Sequence, residues 1–208
     1  MISITMDWGI KKIQKPKALI IVAHPDDETI FCGGTMLYYP SWEWTIVCMT
    51  WRKSSIRYLQ FEKAVQHFLD LGVNIKSFST FEQKDTGQEL TRNELGSWRK
   101  NLNSLTLDTD IVFTHNERGE YGHPHHAVLN SLTKQIFKNV WEFICPGAYK
   151  IEQPYRNKIN VVPLSRGTLD KKTKLFNDCY SSELSIWRNM PDLMSCEFRT
   201  GPEIFTQE

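Results

Sequence analysis

Two stretches of this chain concentrate side chains that can hold a metal ion or move a proton. The first is Ala23-His24-Pro25-Asp26-Asp27-Glu28. His24 and Asp27 stand three positions apart. A tight turn there lets an imidazole and a carboxylate converge on one point, and both are ordinary zinc ligands. Asp26, between them, is then a carboxylate beside the metal and not on it, which is what a general base for a water nucleophile requires. The same six residues equally suit the first turn of a helix, where Asp26, Asp27 and Glu28 answer the positive end of the helix dipole.

The second stretch runs from His115 to His126, reading HNERGEYGHPHH. It holds four of the chain's six histidines within twelve positions, a clustering that chance does not produce. Pro124 suits the first turn of a helix, so His123 and His126 flank a helix start. The positive end of a helix disfavours imidazolium, and the neutral ring is the form that ligates metal. Gly119 and Gly122 allow the backbone a close approach to a ligand. The plainer reading is a polar, histidine-rich surface loop. Together the stretches supply His24, Asp27 and one histidine of the second. Two His and one carboxylate with a fourth position left for water is a catalytic zinc pattern, whereas structural sites are more often closed by cysteines. The only cysteine near either stretch is Cys32.

Both stretches need elements that bring them to one place, and the hydrophobic pattern provides them. Strands are expected at Lys17–Ala23, Thr45–Thr50, Asn74–Phe78, Asp110–Thr114 and around Trp141–Tyr149. Helices are expected at Glu28–Tyr39, at Ser55–Leu71 with Gly72 as its stop, at Glu89–Leu105 and at His126–Val140. Alternating strands and helices predict a Rossmann-like α/β fold, a mostly parallel sheet with helices on both faces, in a single domain over 1–208. Functional residues in such sheets collect at the carboxyl ends of the strands, and both stretches directly follow a predicted strand. The segment from Lys150 onward is the least legible and is expected to add strands and a helix.

Composition narrows the function classes. Of 208 residues, 25 are Lys or Arg and 24 are Asp or Glu, a net charge of +1 that argues against a nucleic-acid partner held by bulk charge. No apolar run reaches the roughly 18–20 residues of a spanning helix, and no signal-peptide pattern is present. Five widely spaced cysteines, Cys32, Cys48, Cys145, Cys179 and Cys196, contain no CxxC pair and read as reduced thiols of a cytoplasmic protein. Lys11, Lys12, Lys15 and Lys17 read as a solvated lead-in to the first strand. His67 reads as an ordinary helix residue. Trp42 and Trp44 read as core, while Trp51 and Arg52 are candidates for a stacking wall at the strand end. The polar segment Glu82–Gln88 is expected to rim the pocket, and His115 to be either a hydrogen-bond partner of the site or a packing residue.

The chain resembles the PIG-L/LmbE-like family of metal-dependent N-acetylglucosaminyl deacetylases. His24-Pro25-Asp26-Asp27-Glu28 matches the family's first motif, and Gly33-Gly34-Thr35 the GGT that follows it. Thr114-His115-Asn116, then Gly119-Glu120-Tyr121-Gly122-His123 and His126, resemble the second. The resemblance implies that His24, Asp27 and His126 bind the metal, usually zinc with Fe²⁺ as an alternative. It implies that Asp26 is the base deprotonating a metal-bound water. His123 would stabilise the tetrahedral intermediate or protonate the leaving amine, Tyr121 would stand near the oxyanion, and Arg57 would help hold the sugar. The implied partner is a small-molecule amino sugar or glycoconjugate. Rival functions are hydrolysis of another amide or acyl chain on the same site, or a non-catalytic metal- or ligand-binding module. A nucleotide-binding module is disfavoured, because the first strand leads into acidic residues and not a glycine-rich phosphate loop. Two departures stand out. The family commonly has Asp between its two histidines, where this chain has His125. A later family segment often reading HxSQ is here Tyr180-Ser181-Ser182-Glu183.

Overall fold

The computed structural model describes residues 7–10, 15–105, 107–145, 158–183 and 203–207. Strand β1 (Lys17–Val22) is buried along its whole length after Lys17. This follows from covering both faces of a sheet, which turns alternation into a continuous apolar run. Ala18, Ile20 and Val22 enter one hydrophobic cluster; Leu19, Ile21 and Ala23 enter the other. The first cluster is closed by α1 (Asp27–Tyr38), α2 (Ile56–Asp70) and α6 (Arg166–Cys179). The second is closed by α3 (Arg92–Asn103) and α5 (Pro124–Ile136), through Trp98, Leu102, Leu129 and Leu132.

The sheet is completed by β2 (Glu43–Thr50), β3 (Ile75–Gln83), β4 (Ile111–Thr114), β5 (Val140–Ile144), β6 (Lys158–Val162) and β7 (Glu203–Gln207), with a single turn, α4 (Gly119–Gly122), before α5. The order is β3-β2-β1-β4-β5-β7-β6. The first five strands are parallel; β7 runs antiparallel between β5 and β6. Chain direction across the sheet reverses between β1 and β4. That is the topological switch point, where a crevice opens beyond the strand ends.

The expected α/β class and two-sided helix cover hold, with corrections at element ends. β3 extends to Gln83, beyond the Phe78 expected, so the segment expected to be loop begins as sheet. The helix expected over His126–Val140 begins at Pro124 and stops at Ile136, and Val140 opens β5. Pro124 is the reason for the start, since a proline's fixed φ suits the first turn and its missing N–H is not needed there. α3 starts late because Thr91 and Glu94 form a capping box, which fixes the helix start at Arg92. The strand expected around Trp141–Tyr149 is described to Cys145 only, and Lys11, Lys12 and Cys196 lie outside the described residues.

Helix α1 carries the first motif and is anchored from the far end of the chain. Glu203 of β7 accepts the main-chain N–H groups of Gly34 (2.8 Å) and Thr35 (2.7 Å) and the Thr35 hydroxyl (2.6 Å). It also pairs with the buried Lys172, which donates to the Ile30 carbonyl. A Cβ at Gly34 would sit 2.5 Å from a Leu164 methyl and 3.0 Å from the Glu203 carboxylate. The glycine is therefore what lets the carboxylate reach the helix backbone.

Candidate metal centre and active site

Strand β1 ends at Val22, and the chain turns sharply through Pro25 into α1. Asp26 takes a φ of 120° there, a backbone state that non-glycine residues rarely occupy and that costs on the order of 1–3 kcal/mol. The turn folds Asp27 back so that its carboxylate accepts the His24 main-chain N–H at 2.8 Å. His126, in the first turn of α5, arrives from the other side of the switch point. Three donor atoms then converge. His24 Nδ1 lies 3.2 Å from His126 Nε2 and 3.4 Å from Asp27 Oδ2, and the last two lie 3.4 Å apart. Ligands about 2.0–2.1 Å from a tetrahedral zinc ion are separated by about 3.3 Å, so the triangle has the size of one face of such a site.

The surroundings orient these ligands. Glu120 Oε2 accepts from His126 Nδ1 at 2.6 Å, which turns the other ring nitrogen toward the triangle. The same oxygen lies 3.0 Å from His115 Nδ1, and Glu120 Oε1 accepts the Asn116 N–H at 2.7 Å. His115 Nε2 accepts the Ala23 main-chain N–H at 3.0 Å and faces Asp27 Oδ2 at 3.3 Å. His115 is thus a buried partner of the site, the first of the two roles expected for it. Glu120 reaches inward because the α4 turn is not helical inside, with a φ of 55° at Glu120 itself.

The electrostatics of the cluster suit a cation. Burial would lower the His126 pKa, but the Asp27 and Glu120 carboxylates outweigh it and push it up to about 10. Burial would raise Asp27, yet facing His126 and His115 it is held well below the usual carboxylate range. Burial keeps His24 below its ordinary value. A centre that traps a proton between two carboxylates presents the donor set and charge that a divalent ion satisfies better.

Asp26 is buried beside the triangle. Burial lifts its pKa well above the ordinary value, against the pull of Arg57. Arg57 Nη2 lies 3.3 Å from Asp26 and donates to the Pro25 carbonyl at 2.7 Å, while Nη1 pairs with Glu183. The guanidinium lies 5.5 Å from the Trp51 ring centroid. The structure thus brings Arg57 to the site but commits it to the chain's own groups, next to the general-base candidate. Glu183 is the last residue of the segment that departs from the family's HxSQ.

His123 is the N-cap of α5, and its Nδ1 accepts the His125 main-chain N–H at 3.2 Å. The ring proton is therefore on Nε2. Burial, then the neighbouring His126 and His24, drop its pKa to about 2, so the ring is neutral. Tyr121 has its ring centroid 5.4 Å from that of His126 and 6.0 Å from that of His123. His125 is fully buried, a ring neighbour of His24. A cavity of about 350 Å³ adjoins the centre, lined by Trp51, Arg52, Ser55, Glu82, Lys84 and Asp85 among others. Asp85 Oδ1 reaches to 3.8 Å from His24 Nε2.

A PIG-L family profile, described as GlcNAc-PI de-N-acetylase, matches residues 19–137. That span runs from β1 through α5 and holds both stretches. The chain belongs to this family. Two curated relatives match part of the chain. One is an uncharacterised protein, L374, of Acanthamoeba polyphaga mimivirus, 29% identical over 59% of this chain and 58% of its own. The other is a probable N-acetylglucosaminyl-phosphatidylinositol de-N-acetylase of Dictyostelium discoideum, 27% identical over 60% of this chain and 51% of its own. The matched region thus spans little more than half the length of these relatives. Among solved structures, a deacetylase of the teicoplanin biosynthetic pathway superposes with a TM-score of 0.65 at 17% identity, covering 91% of this chain and 96% of that one. A zinc-inhibited form of a teicoplanin deacetylase gives 0.63 at 13% identity over 91% and 97%. At these identities the likeness establishes the LmbE-like fold.

Of the residues singled out in the sequence, His24, Asp27 and His126 meet, His123 stacks on His126, Tyr121 lies edge-on to both of those rings, and Asp26, next to Asp27 in the chain, faces Arg57. The segment Glu82–Gln88, expected to rim the pocket, does so through Glu82, Gln83, Lys84 and Asp85. Two roles were missed. Glu120 sits inside the second stretch, but an acidic residue in a glycine-rich segment gives no sign that a backbone reversal aims it at two histidines. Glu183 was noted only as part of a departing segment, and packing brings it against Arg57. His67 is remote from the centre, its Nδ1 3.6 Å from Cys179 Sγ.

Proposed function

We propose that the chain is a metal-dependent hydrolase that removes the N-acetyl group from an N-acetylglucosamine-type sugar carried on a glycoconjugate. The reading is supported by the 3.2–3.4 Å triangle of His24 Nδ1, Asp27 Oδ2 and His126 Nε2 beside an unligated buried carboxylate. Family membership and the deacetylase names of its relatives point the same way. Those three atoms would hold the ion. Zinc suits the set, and Fe²⁺ is accepted by the same donors. A divalent ion there supplies Lewis-acid polarisation of the acetyl carbonyl and eases ionisation of water.

The chain's own residues do the rest. Asp26 takes a proton from the attacking water as its oxygen bonds to the acetyl carbon. Asp26 then returns that proton to the sugar nitrogen as the C–N bond breaks, leaving acetate and a free amine. Burial that raises its pKa makes it competent both to accept the proton and to give it up. Arg57, paired with Glu183, holds Asp26 in its strained turn. His123, neutral with its proton on Nε2, donates to the developing oxyanion. That favours the stabilising role over the acid role, because a neutral ring can donate its Nε2–H in a hydrogen bond but gives that proton up only with difficulty. Tyr121 stands on the same side. The sugar would occupy the cavity walled by Trp51 and Arg52 and rimmed by Glu82–Asp85. The four described cysteines are all free and buried, which fits a reducing, cytoplasmic setting. Among the described residues no helix is long and apolar enough to cross a membrane.

The test pairs metal analysis with acetate release from a panel of N-acetylglucosamine conjugates. About one zinc or iron per chain is expected. Release should fall at least a hundredfold in Asp26→Asn with metal content unchanged. Metal without release on any conjugate would assign the centre to another amide or to binding alone. An Asp26→Asn enzyme of full activity would overturn the mechanism.

A further inference from the structure

The residue that departs from the family's second motif is tied to a proposed metal ligand. His125 Nε2 lies 2.9 Å from the Gln88 carbonyl oxygen, in the loop between β3 and α3. A carbonyl only accepts, so the His125 proton sits on Nε2 and Nδ1 carries the lone pair. That Nδ1 lies 3.3 Å from His24 Nε2. His24 in turn directs Nδ1 into the triangle with His126 Nε2 and Asp27 Oδ2. As a ligand it must present a lone pair there, which leaves its proton on Nε2, aimed at His125. The two protons run in one direction: His24 Nε2–H to His125 Nδ1, and His125 Nε2–H to the Gln88 carbonyl.

We propose that His125 is a positioning residue that fixes the tautomer and ring plane of His24 through this relay, and so tunes metal affinity. The inference rests on the metal-centre reading above. It gives the two histidine ligands different supports. His126 is backed by the buried carboxylate of Glu120, as metal-bound imidazoles commonly are. His24 is backed by a neutral ring anchored on a main-chain carbonyl. The relay is held by packing: the His24 and His125 rings lie 5.4 Å apart at 25°, and Trp98 meets His125 edge-on at 5.5 Å. It also links the metal centre to the substrate cavity, because Gln88 belongs to the same loop as the cavity-lining Lys84 and Asp85. Asp85 Oδ1, 3.6 Å from His125 Nδ1 and 3.8 Å from His24 Nε2, is a second acceptor beside the relay. A side chain as short as aspartate at position 125 could not span His24 and Gln88 together.

The experiment compares zinc affinity, by competition with a chromophoric chelator, in four proteins. These are the parent, His125→Asn, His125→Leu and His126→Gln. Asn places an acceptor near the position of Nδ1, whereas Leu keeps bulk against Trp98 and offers none. The expected result is a loss of about 10–100-fold in His125→Leu, the usual effect of removing an outer-sphere partner. In His125→Asn the loss should be only a few-fold, with a larger loss in His126→Gln. Nitrogen-15 spectra of histidine-labelled parent protein supply a second readout, with His125 expected as the Nε2–H tautomer. This readout requires no variant to fold. Parental affinity in His125→Leu, or an Nδ1–H tautomer at His125, overturns the relay. Parental affinity in His126→Gln overturns the metal centre itself, so the two failures are separable.

Discussion

At the scale of single residues, the centre is a problem in where protons sit. Without a cation, the His126 imidazole is squeezed between Asp27 and Glu120 and keeps its proton to about pH 10, against an ordinary value of 6.5. The folded state therefore binds that proton more tightly than the unfolded chain. Its contribution to stability is complete below 6.5 and is lost as pH rises toward 10. Urea unfolding of the metal-free protein is expected to show stability falling across that window, and a His126→Gln variant should lack this decline. A parental profile that stays flat from pH 6.5 to 10 would contradict the assignment. The same reasoning makes zinc uptake near neutral pH release about one proton. Calorimetry in buffers of different ionisation enthalpy would detect it.

At the scale of elements, the centre depends on helix α1 entering the sheet at a fixed height and angle. Core packing by Ile30, Phe31 and Met36 and the Tyr180 hydroxyl on Glu28 help set it. Glu203 adds to this by accepting two main-chain N–H groups and the Thr35 hydroxyl while pairing with the buried Lys172. Glu203→Ala removes the carboxylate of a buried ion pair and the acceptor of three α1 donors, a class of change that costs about 3–5 kcal/mol. Chemical denaturation should show that loss, and zinc affinity should fall with it, since Asp27 sits in the first turn of the same helix. A Glu203→Ala protein with parental stability would show that Lys172 finds an equivalent partner elsewhere. The element boundaries tell a related story. Pro124 and the Thr91–Glu94 capping box set helix starts that apolar spacing alone misplaced, because hydrophobic period locates the middle of a helix and not its ends.

At the scale of the whole molecule, the three proposed ligands come from both sides of the switch point: His24 and Asp27 from the end of β1 and start of α1, His126 from α5 beyond β4. An ion bound there fastens two parts of the fold that the unfolded chain keeps about a hundred residues apart. Binding to the native state alone stabilises it by mass action, about 4 kcal/mol at a thousandfold excess over the dissociation constant. For a chain of this size the melting temperature should rise by roughly 10 °C. A thermal scan with zinc, reversed by a chelator, checks this, and no shift at saturating zinc would argue against a centre built by the native fold.

What the amino-acid sequence determined by itself was local. Unbroken apolar runs marked the buried strands, because a parallel sheet covered on both faces leaves no polar side. The candidate ligands His24, Asp27 and His126 and their neighbour His123 were legible, because a strand end leading into a helix start fixes their neighbourhood within a few positions. The contributions of Glu120, Glu183, Glu203 and His125 were decided only by tertiary structure. A carboxylate's meaning depends on what its oxygens reach. The contacts of Glu120 and Glu203 reach across separations from four positions, between Asn116 and Glu120, to 169, between Gly34 and Glu203. Reversed backbone turns and sheet order make them, and side-chain type and spacing do not record either.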